Sequence, residues 1–353
     1  MKILIYSDLH ISRTSSILPA STDSKYTYRQ QMILKTAEFL ENVVMQTLPD
    51  LIINCGDTFD QHTITSYDVE VASQFFSHFD MINIPHLVLV GNHEMINENF
   101  NAIALLDNIS NIKVISQDTS INSNEIIPNT NIKLAFLPYC DFKSITSFPE
   151  GDYLFSHQDI AGSCIRGDFK LPDGLDSNVL KTKYKLVFNG HIHKSSIFNN
   201  VINVGSITTH SFSDDENTIP QCYLFDTDTN NLTAFKSNCC PLFRHHQVQT
   251  VLDLTNYLDS LDKLYTYVLH ITCPYEIKEE VKQILSTANY IVNSRITVKI
   301  ENATLLESKA ELQNDINLQS NIDIKHSFTD FLNTITIDKY PKNMYLDVLK
   351  EVE

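Results

Sequence analysis

The chain has 353 residues, 42% of them hydrophobic and 10% aromatic, and a formal net charge of −17. That length exceeds one small core and predicts two domains with a tail, while the hydrophobic content excludes a disordered chain. The acidic balance argues against tight autonomous binding to nucleic acid, whose phosphates are usually met by Lys and Arg, and no apolar run approaches the ~20 residues of a membrane span.

In chain order, residues 2–7 read as a buried strand, and the opening stretch lacks the cleavage region of a signal peptide. Residues 11–28, rich in Ser and Thr, read as a loop. Apolar positions at Met32, Phe39, Leu40, Val43 and Val44 predict an amphipathic helix over 28–47, stopped by Pro49. Residues 51–55 and 86–90 read as buried strands, with a helix over 69–79 between them. Strand, helix, strand, helix, strand is the α/β alternation, with parallel strands buried on both faces. Functional loops then gather at the carboxyl ends of the strands.

Beyond residue 110 the segments shorten to strand-like runs at 113–115, 132–136, 153–156, 185–188, 201–204, 222–225 and 232–235. They predict a second sheet packed on the first, with 117–131 as an exposed turn. Near 245 the character changes: strand 265–272, helix 276–285 and strand 290–300 make a small β-α-β unit. The expected division is a catalytic domain over 1–245, an accessory domain over 246–302, a polar linker over 303–326 and a helical segment over 327–353. In that last segment Phe328, Phe331, Leu332 and Ile335, then Tyr345, Val348, Leu349 and Val352, form two short apolar stripes that need a surface to bury against.

The seven cysteines are odd in number and none are spaced C-x-x-C. This argues against a disulfide framework and predicts reduced thiols in a cytoplasm. Adjacent Cys239 and Cys240 read as packing residues.

Two strings carry the chemistry. Gly91-Asn92-His93-Glu94 follows the apolar run 86–90, and Gly190-His191-Ile192-His193 follows 185–188. Each places metal-ligand side chains in the loop after a buried strand. Asp8 and His10, two apart, share one side of an extended segment, as do His191 and His193. Asp57, after Gly56, can offer both oxygens and bridge two ions; Asn92 offers a neutral carbonyl oxygen, and His157 follows the strand-like 153–156. Mixed His, Asp and Asn donors suit Mn²⁺, Fe²⁺ or Zn²⁺ better than Ca²⁺. Two adjacent ions lower the pKa of a shared water from about 15.7 toward about 7 and neutralise phosphate oxygens, the usual apparatus of phosphate-ester hydrolysis. His93, beside Asn92, is the candidate to serve the leaving oxygen. His62, His78, His86, His210, His245 and His246 read as surface or packing residues, and Phe59 and Tyr139 as core or site wall.

Asp8-Leu9-His10, Gly56-Asp57, Gly91-Asn92-His93-Glu94, His157 and Gly190-His191-Ile192-His193 stand in the order of the calcineurin-like metallophosphoesterase motifs. The chain resembles the nuclease subunit of SbcCD-type DNA repair complexes, including bacteriophage versions, strongly over 1–210 and more weakly beyond. Gly56-Asp57-Thr58-Phe59-Asp60 is similar to the G-D-x-F-D of that nuclease branch. The resemblance implies an α/β fold with a two-sheet sandwich flanked by helices (α/β/β/α). It implies that Asp8, His10, Asp57 and His193 hold one metal, that Asp57, Asn92, His157 and His191 hold the other, and that His93 acts on the phosphate. It also implies Mn²⁺ as cofactor, with Mg²⁺, Fe²⁺ and Zn²⁺ as alternatives, and double-strand exonuclease plus single-strand endonuclease activity on DNA. The β-α-β unit resembles the family's DNA-capping domain. Residues 327–353 resemble the segment that docks on an SMC-like ATPase, within a heterotetramer built on a homodimer. The sequence departs from the pattern at Glu94, where Asp is frequent, and before His157, where Gly is usual. The rival readings are a small-molecule or nucleotide phosphoesterase and a scaffold with a vestigial site.

Overall fold

In the structure, a computed structural model, residues 1–299 are described, apart from 14, 16, 20–24, 81, 98–99, 110, 210 and 213–217. His210, the linker at 303–326 and the helices at 327–352 lie outside the described residues. Met1–Thr297 forms one compact unit.

Two six-stranded sheets dominate. In the first, Lys2–Tyr6, Leu51–Asn54, His86–Leu89 and Ile112–Ile115 run parallel in that spatial order. Gln221–Asp226 and Asn231–Lys236 extend it antiparallel on the other side of Lys2–Tyr6. The second has the order Ser196–Phe198, Val201–Asn203, Leu186–Asn189, Tyr153–Ser156, Lys133–Leu137, Thr119–Asn122, and its central four strands are parallel.

The alternation of side chains along each strand builds the layers. Ile3, Ile5, Leu51, Ile53, Leu87 and Leu89 of the first sheet meet Leu134, Phe136, Phe155, Phe188 and Ile202 of the second in one buried cluster. There Phe136, Phe155 and Phe188 stack with centroids 5.6 and 5.3 Å apart. The intervening residues Leu4, Tyr6, Ile52 and Val88 face outward onto the helices Tyr28–Thr47 and Ser66–Asp80. On the far side Ala135, Leu154 and Val187 pack with Leu180 of the helix Ser177–Lys183. The architecture is helix, sheet, sheet, helix, and each fully buried Ile, Leu or Phe contributes about 1.5–3 kcal/mol. The long helix starts where Thr27 and Gln30 form a capping box and ends at left-handed Leu48, just before Pro49.

The structure corrects the expectation for 117–131. Thr119–Asn122 is the outer strand of the second sheet, antiparallel to Lys133–Leu137, and Ser123–Glu125 is a turn of 3₁₀ helix. Polar Thr119, Ser120 and Asn122 hide the strand in the sequence; only Ile121 turns inward, 5% exposed. The small unit after the sandwich is also larger than β-α-β. Leu242–Gln247 runs parallel to Tyr267–Pro274, Ile291–Lys299 completes a three-stranded sheet, and helices Val251–Ser260 and Lys278–Thr287 pack on it. The boundary expected at 245 therefore falls inside a strand.

Candidate metal centre

Five loops converge at the carboxyl ends of parallel strands. Asp8 and His10 follow Lys2–Tyr6, Asp57 follows Leu51–Asn54, and Asn92 and His93 follow His86–Leu89. From the second sheet His157 follows Tyr153–Ser156, and His191 and His193 follow Leu186–Asn189. Main-chain hydrogen bonds pair the loops: Asp8 N–H to Gly56 O (3.0 Å), His10 N–H to Asp57 O (2.9 Å), Gly190 N–H to Ser156 O (2.9 Å). Asp8, His10, Asp57 and His191 all hold left-handed backbone, with φ of 56°, 48°, 51° and 69°. Such geometry is costly outside Gly and persists where surrounding structure over-determines it, characteristically at functional sites.

The motif glycines are spacing devices. A Cβ on Gly56 would lie 2.3 Å from His157 Nδ1, one on Gly91 2.1 Å from Asp57 Oδ1, and one on Gly190 2.3 Å from Ser7 Oγ. These three loops approach each other as closely as bare backbone allows.

Every expected ligand reaches the centre, in two groups. Asp8, His10 and His193 bring one donor atom each to a common point, and Asp57, His157 and His191 do the same at a second. His10 Nε2 and His193 Nε2 each lie 3.8 Å from Asp8 Oδ1. Asn92 Oδ1 lies 3.0 Å from His157 Nε2 and 2.8 Å from His191 Nδ1, so it belongs to the second group. Asp57 stands between: its Oδ2 is 3.6 Å from His10 Nε2 and 3.2 Å from His157 Nε2. Its Oδ1 accepts the His93 N–H at 3.0 Å, so one oxygen faces both groups.

The donor set fits two divalent ions. Both oxygens of Asp8 are buried, and no donor among the described residues lies within hydrogen-bond distance; the His10 and His193 imidazoles stand 3.8 Å from Oδ1, an arrangement that is costly for a carboxylate unless positive charge meets it. The ring nitrogens are sorted as metal ligation needs. His157 turns Nδ1 to the Cys55 carbonyl at 2.7 Å, which leaves Nε2 for the centre. His93 turns Nδ1 to the Asp60 carbonyl at 2.6 Å, and its Nε2 is 4.0 Å from Asp57 Oδ2.

Charge among these groups is strongly coupled. Burial opposes ionisation of Asp57, but the imidazoles of His157, His10 and His93 overcome it and hold the carboxyl well below the usual range. For Asp8 burial is likewise outweighed, by His10, His157 and His193. Burial lowers His10 and His157, yet the carboxylates around them, Asp60 and Asp8 for the first and Asp57 for the second, push them up to about 10 and about 9. The carboxylates thus make the cavity favourable for positive charge.

Two supporting residues are given no role by the sequence reading, which notes Glu94 only as a departure from the family pattern. Glu94, fully buried, accepts the Phe59 and Gly91 N–H groups at 2.8 and 2.7 Å and so ties two metal-bearing loops together. Burial, then the Asp57 charge, pushes its carboxyl up to about 7. Arg29, 4% exposed, donates to the carbonyls of His10 (2.9 Å) and Thr209 (2.7 Å), fastening the first loop. The Glu94–Phe59 and Arg29 pairings have no local sequence signal, since those partners meet only in the fold. Tyr139 lines the site, its ring 5.8 Å from that of His191, and Phe59 is core.

A family model for calcineurin-like phosphoesterases matches residues 1–195, more than half of the 353-residue chain. The chain belongs to this family. It is a metal-dependent phosphoester hydrolase with a dimetal site. Among solved structures, a novel archaeal phosphodiesterase is 15% identical, with 67% of this chain and 100% of that one covered and a TM-score of 0.35. A dimetal phosphatase from Danio rerio is 11% identical, covering 67% and 95%, with a TM-score of 0.40. The nuclease MPE from Pseudomonas putida is 13% identical, covering 63% and 84%, with a TM-score of 0.30. No curated protein matches the chain.

Proposed function

We propose that this phosphoesterase is a Mn²⁺-dependent DNA nuclease. Its activities are exonuclease on duplex ends and endonuclease on single strands, in DNA repair or recombination, including phage recombination. The observation that carries the reading is the place of Asp60, the last residue of the Gly56–Asp60 string. Its side chain lies 3.3 Å from His10 Nδ1 and its carbonyl accepts from His93 Nδ1 at 2.6 Å. Asp60, which closes the string that resembles the nuclease branch, is in contact with His10 and His93, and this supports the reading.

When bound, the ions supply an activated water and neutralise charge on the phosphate. The chain's own groups do the rest. Asp57 Oδ2, ionised, stands between the two ligand groups. His93, held through Nδ1, presents Nε2 to the centre. In its protonated form it gives the Nε2 proton to the 3′-oxygen as the P–O bond breaks, a role that needs fixed ring orientation more than strong binding.

The test compares linear duplex DNA, single-stranded DNA, bis-p-nitrophenyl phosphate and nucleotides with Mn²⁺. Both DNA forms should be cut, and His93→Ala should abolish cutting while calorimetric Mn²⁺ binding stays unchanged. Intact DNA alongside turnover of nucleotides would overturn the nuclease reading in favour of a nucleotide phosphoesterase.

A further inference from the structure

Four imidazoles in the centre each have one nitrogen turned inward and one turned away. For His157 and His93 the outer nitrogen meets a main-chain carbonyl, of Cys55 and Asp60. For His10 and His191 it meets a carboxylate. His10 Nδ1 lies 3.3 Å from Asp60 Oδ1, and His191 Nε2 lies 3.2 Å from Asp159 Oδ1. The inward atoms are consequently different: Nε2 for His10, beside Asp8 and Asp57, and Nδ1 for His191, beside Asn92.

We propose that Asp60 and Asp159 are positioning residues, one for each metal, which select the ring nitrogen that His10 and His191 present and make that nitrogen a better donor. The inference rests on the dimetal centre and is independent of whether DNA is the substrate.

Three observations favour this over incidental ion pairing. First, both residues are anchored through their backbone: Asp60 N–H donates to Ile11 O at 3.1 Å, and the Asp159 carbonyl accepts from Leu175 N–H at 2.8 Å. A Cβ on Gly174 would lie 2.6 Å from that same Asp159 carbonyl, so the loop is packed down onto it. Second, each spans two strand ends. Asp60 sits three residues after Asp57 and reaches the loop of Lys2–Tyr6; Asp159 sits two residues after His157 and reaches the loop of Leu186–Asn189. Third, the other acids at the centre are committed elsewhere: Asp8 and Asp57 face the ligand groups, and Glu94 has both oxygens on the amides of Phe59 and Gly91. A carboxylate behind a ligating histidine fixes its tautomer and raises its basicity, and its loss typically costs 10–100-fold in metal affinity.

The asymmetry between the two makes the test sharp. Metal-stripped protein is titrated with Mn²⁺ by calorimetry, with electron paramagnetic resonance reporting the spin-coupled ion pair. Asp159→Ala should weaken one of two Mn²⁺ ions about 10–100-fold and leave the other. Asp60→Ala should do the same to the other ion, because His93 is held by the Asp60 carbonyl, which the substitution keeps. Asp60→Asn and Asp159→Asn, whose carboxamide oxygens still accept, should lose less. Excess Mn²⁺ should restore hydrolysis of bis-p-nitrophenyl phosphate in these variants. In a His191→Ala background, Asp159→Ala should add no further loss of Mn²⁺ binding, since its effect passes through that ring. Unchanged isotherms in both Ala variants, or an equal loss with His191 already removed, would sink the inference. Absence of Mn²⁺ binding by the unsubstituted protein would instead overturn the metal centre itself.

Discussion

Gly91 shows how little room the site leaves. Its missing side chain is what lets Asp57 Oδ1 sit under the loop and receive the His93 N–H. Gly91→Ala must displace either the Asp57 carboxylate or the loop that carries Asn92 and His93. The expected outcome is at least a ~10-fold weaker Mn²⁺ isotherm with unchanged circular dichroism, since a misplaced support around a ligand costs on the order of 10–100-fold. Most of the candidate ligands stand beside a glycine or at a spacing of two after an apolar run, which made them readable; His157, between Ser156 and Gln158, has only the strand before it. Arg29, Glu94, Asp60 and Asp159 were not assigned roles. Arg29 meets Thr209 across 180 residues and Glu94 meets Phe59 across 35, and no local pattern records such a meeting.

Among the elements, the strand His86–Leu89 holds a group with a pH signature. His86 is 1% exposed, bonded to the Tyr6 hydroxyl at 3.0 Å and packed edge-on against Phe76 and Phe79 of helix Ser66–Asp80. Burial lowers its pKa to about 3. Between that value and the ~6.5 of an unfolded histidine, the unfolded chain binds a proton that the folded one refuses, so stability falls as pH falls through this window. The slope for one such group is at most about 1.4 kcal/mol per pH unit. Urea unfolding of the unsubstituted protein and His86→Gln at several pH values should show their stability difference shrinking or reversing below pH ~6.5; a constant difference would refute the assignment. The sequence placed His86 among packing histidines, and strand-and-helix alternation was readable because its apolar period is strong. Thr119–Asn122 was not, because an edge strand with one buried residue carries almost no hydrophobic signal.

At the scale of the whole molecule, the acidic chain and its C-terminal stripes bear on partners. If residues 327–353 dock on an SMC-like ATPase, removal of residues 320–353 should abolish capture of that ATPase while hydrolysis of bis-p-nitrophenyl phosphate survives. Unchanged capture would refute the docking. Among the described residues no helix is long and apolar enough to cross a membrane, and all seven cysteines are free.

Each of the two ligand groups draws on both sheets. Asp8 and His10 of the first stand with His193 of the second, and Asp57 of the first stands with His157 and His191 of the second. Bound ions would therefore rivet the sandwich as well as serve the reaction. Saturating Mn²⁺ should raise Tm, with about 2.7 kcal/mol of stabilisation per site at 100 times Kd, and chelation should lower it. Differential scanning calorimetry with and without chelator would show this, and an unchanged Tm would contradict it. A preparation stripped of metal then loses more than activity: the layers are free to part at the end where the strands open, and the first region to yield to protease should be the mouth of the site.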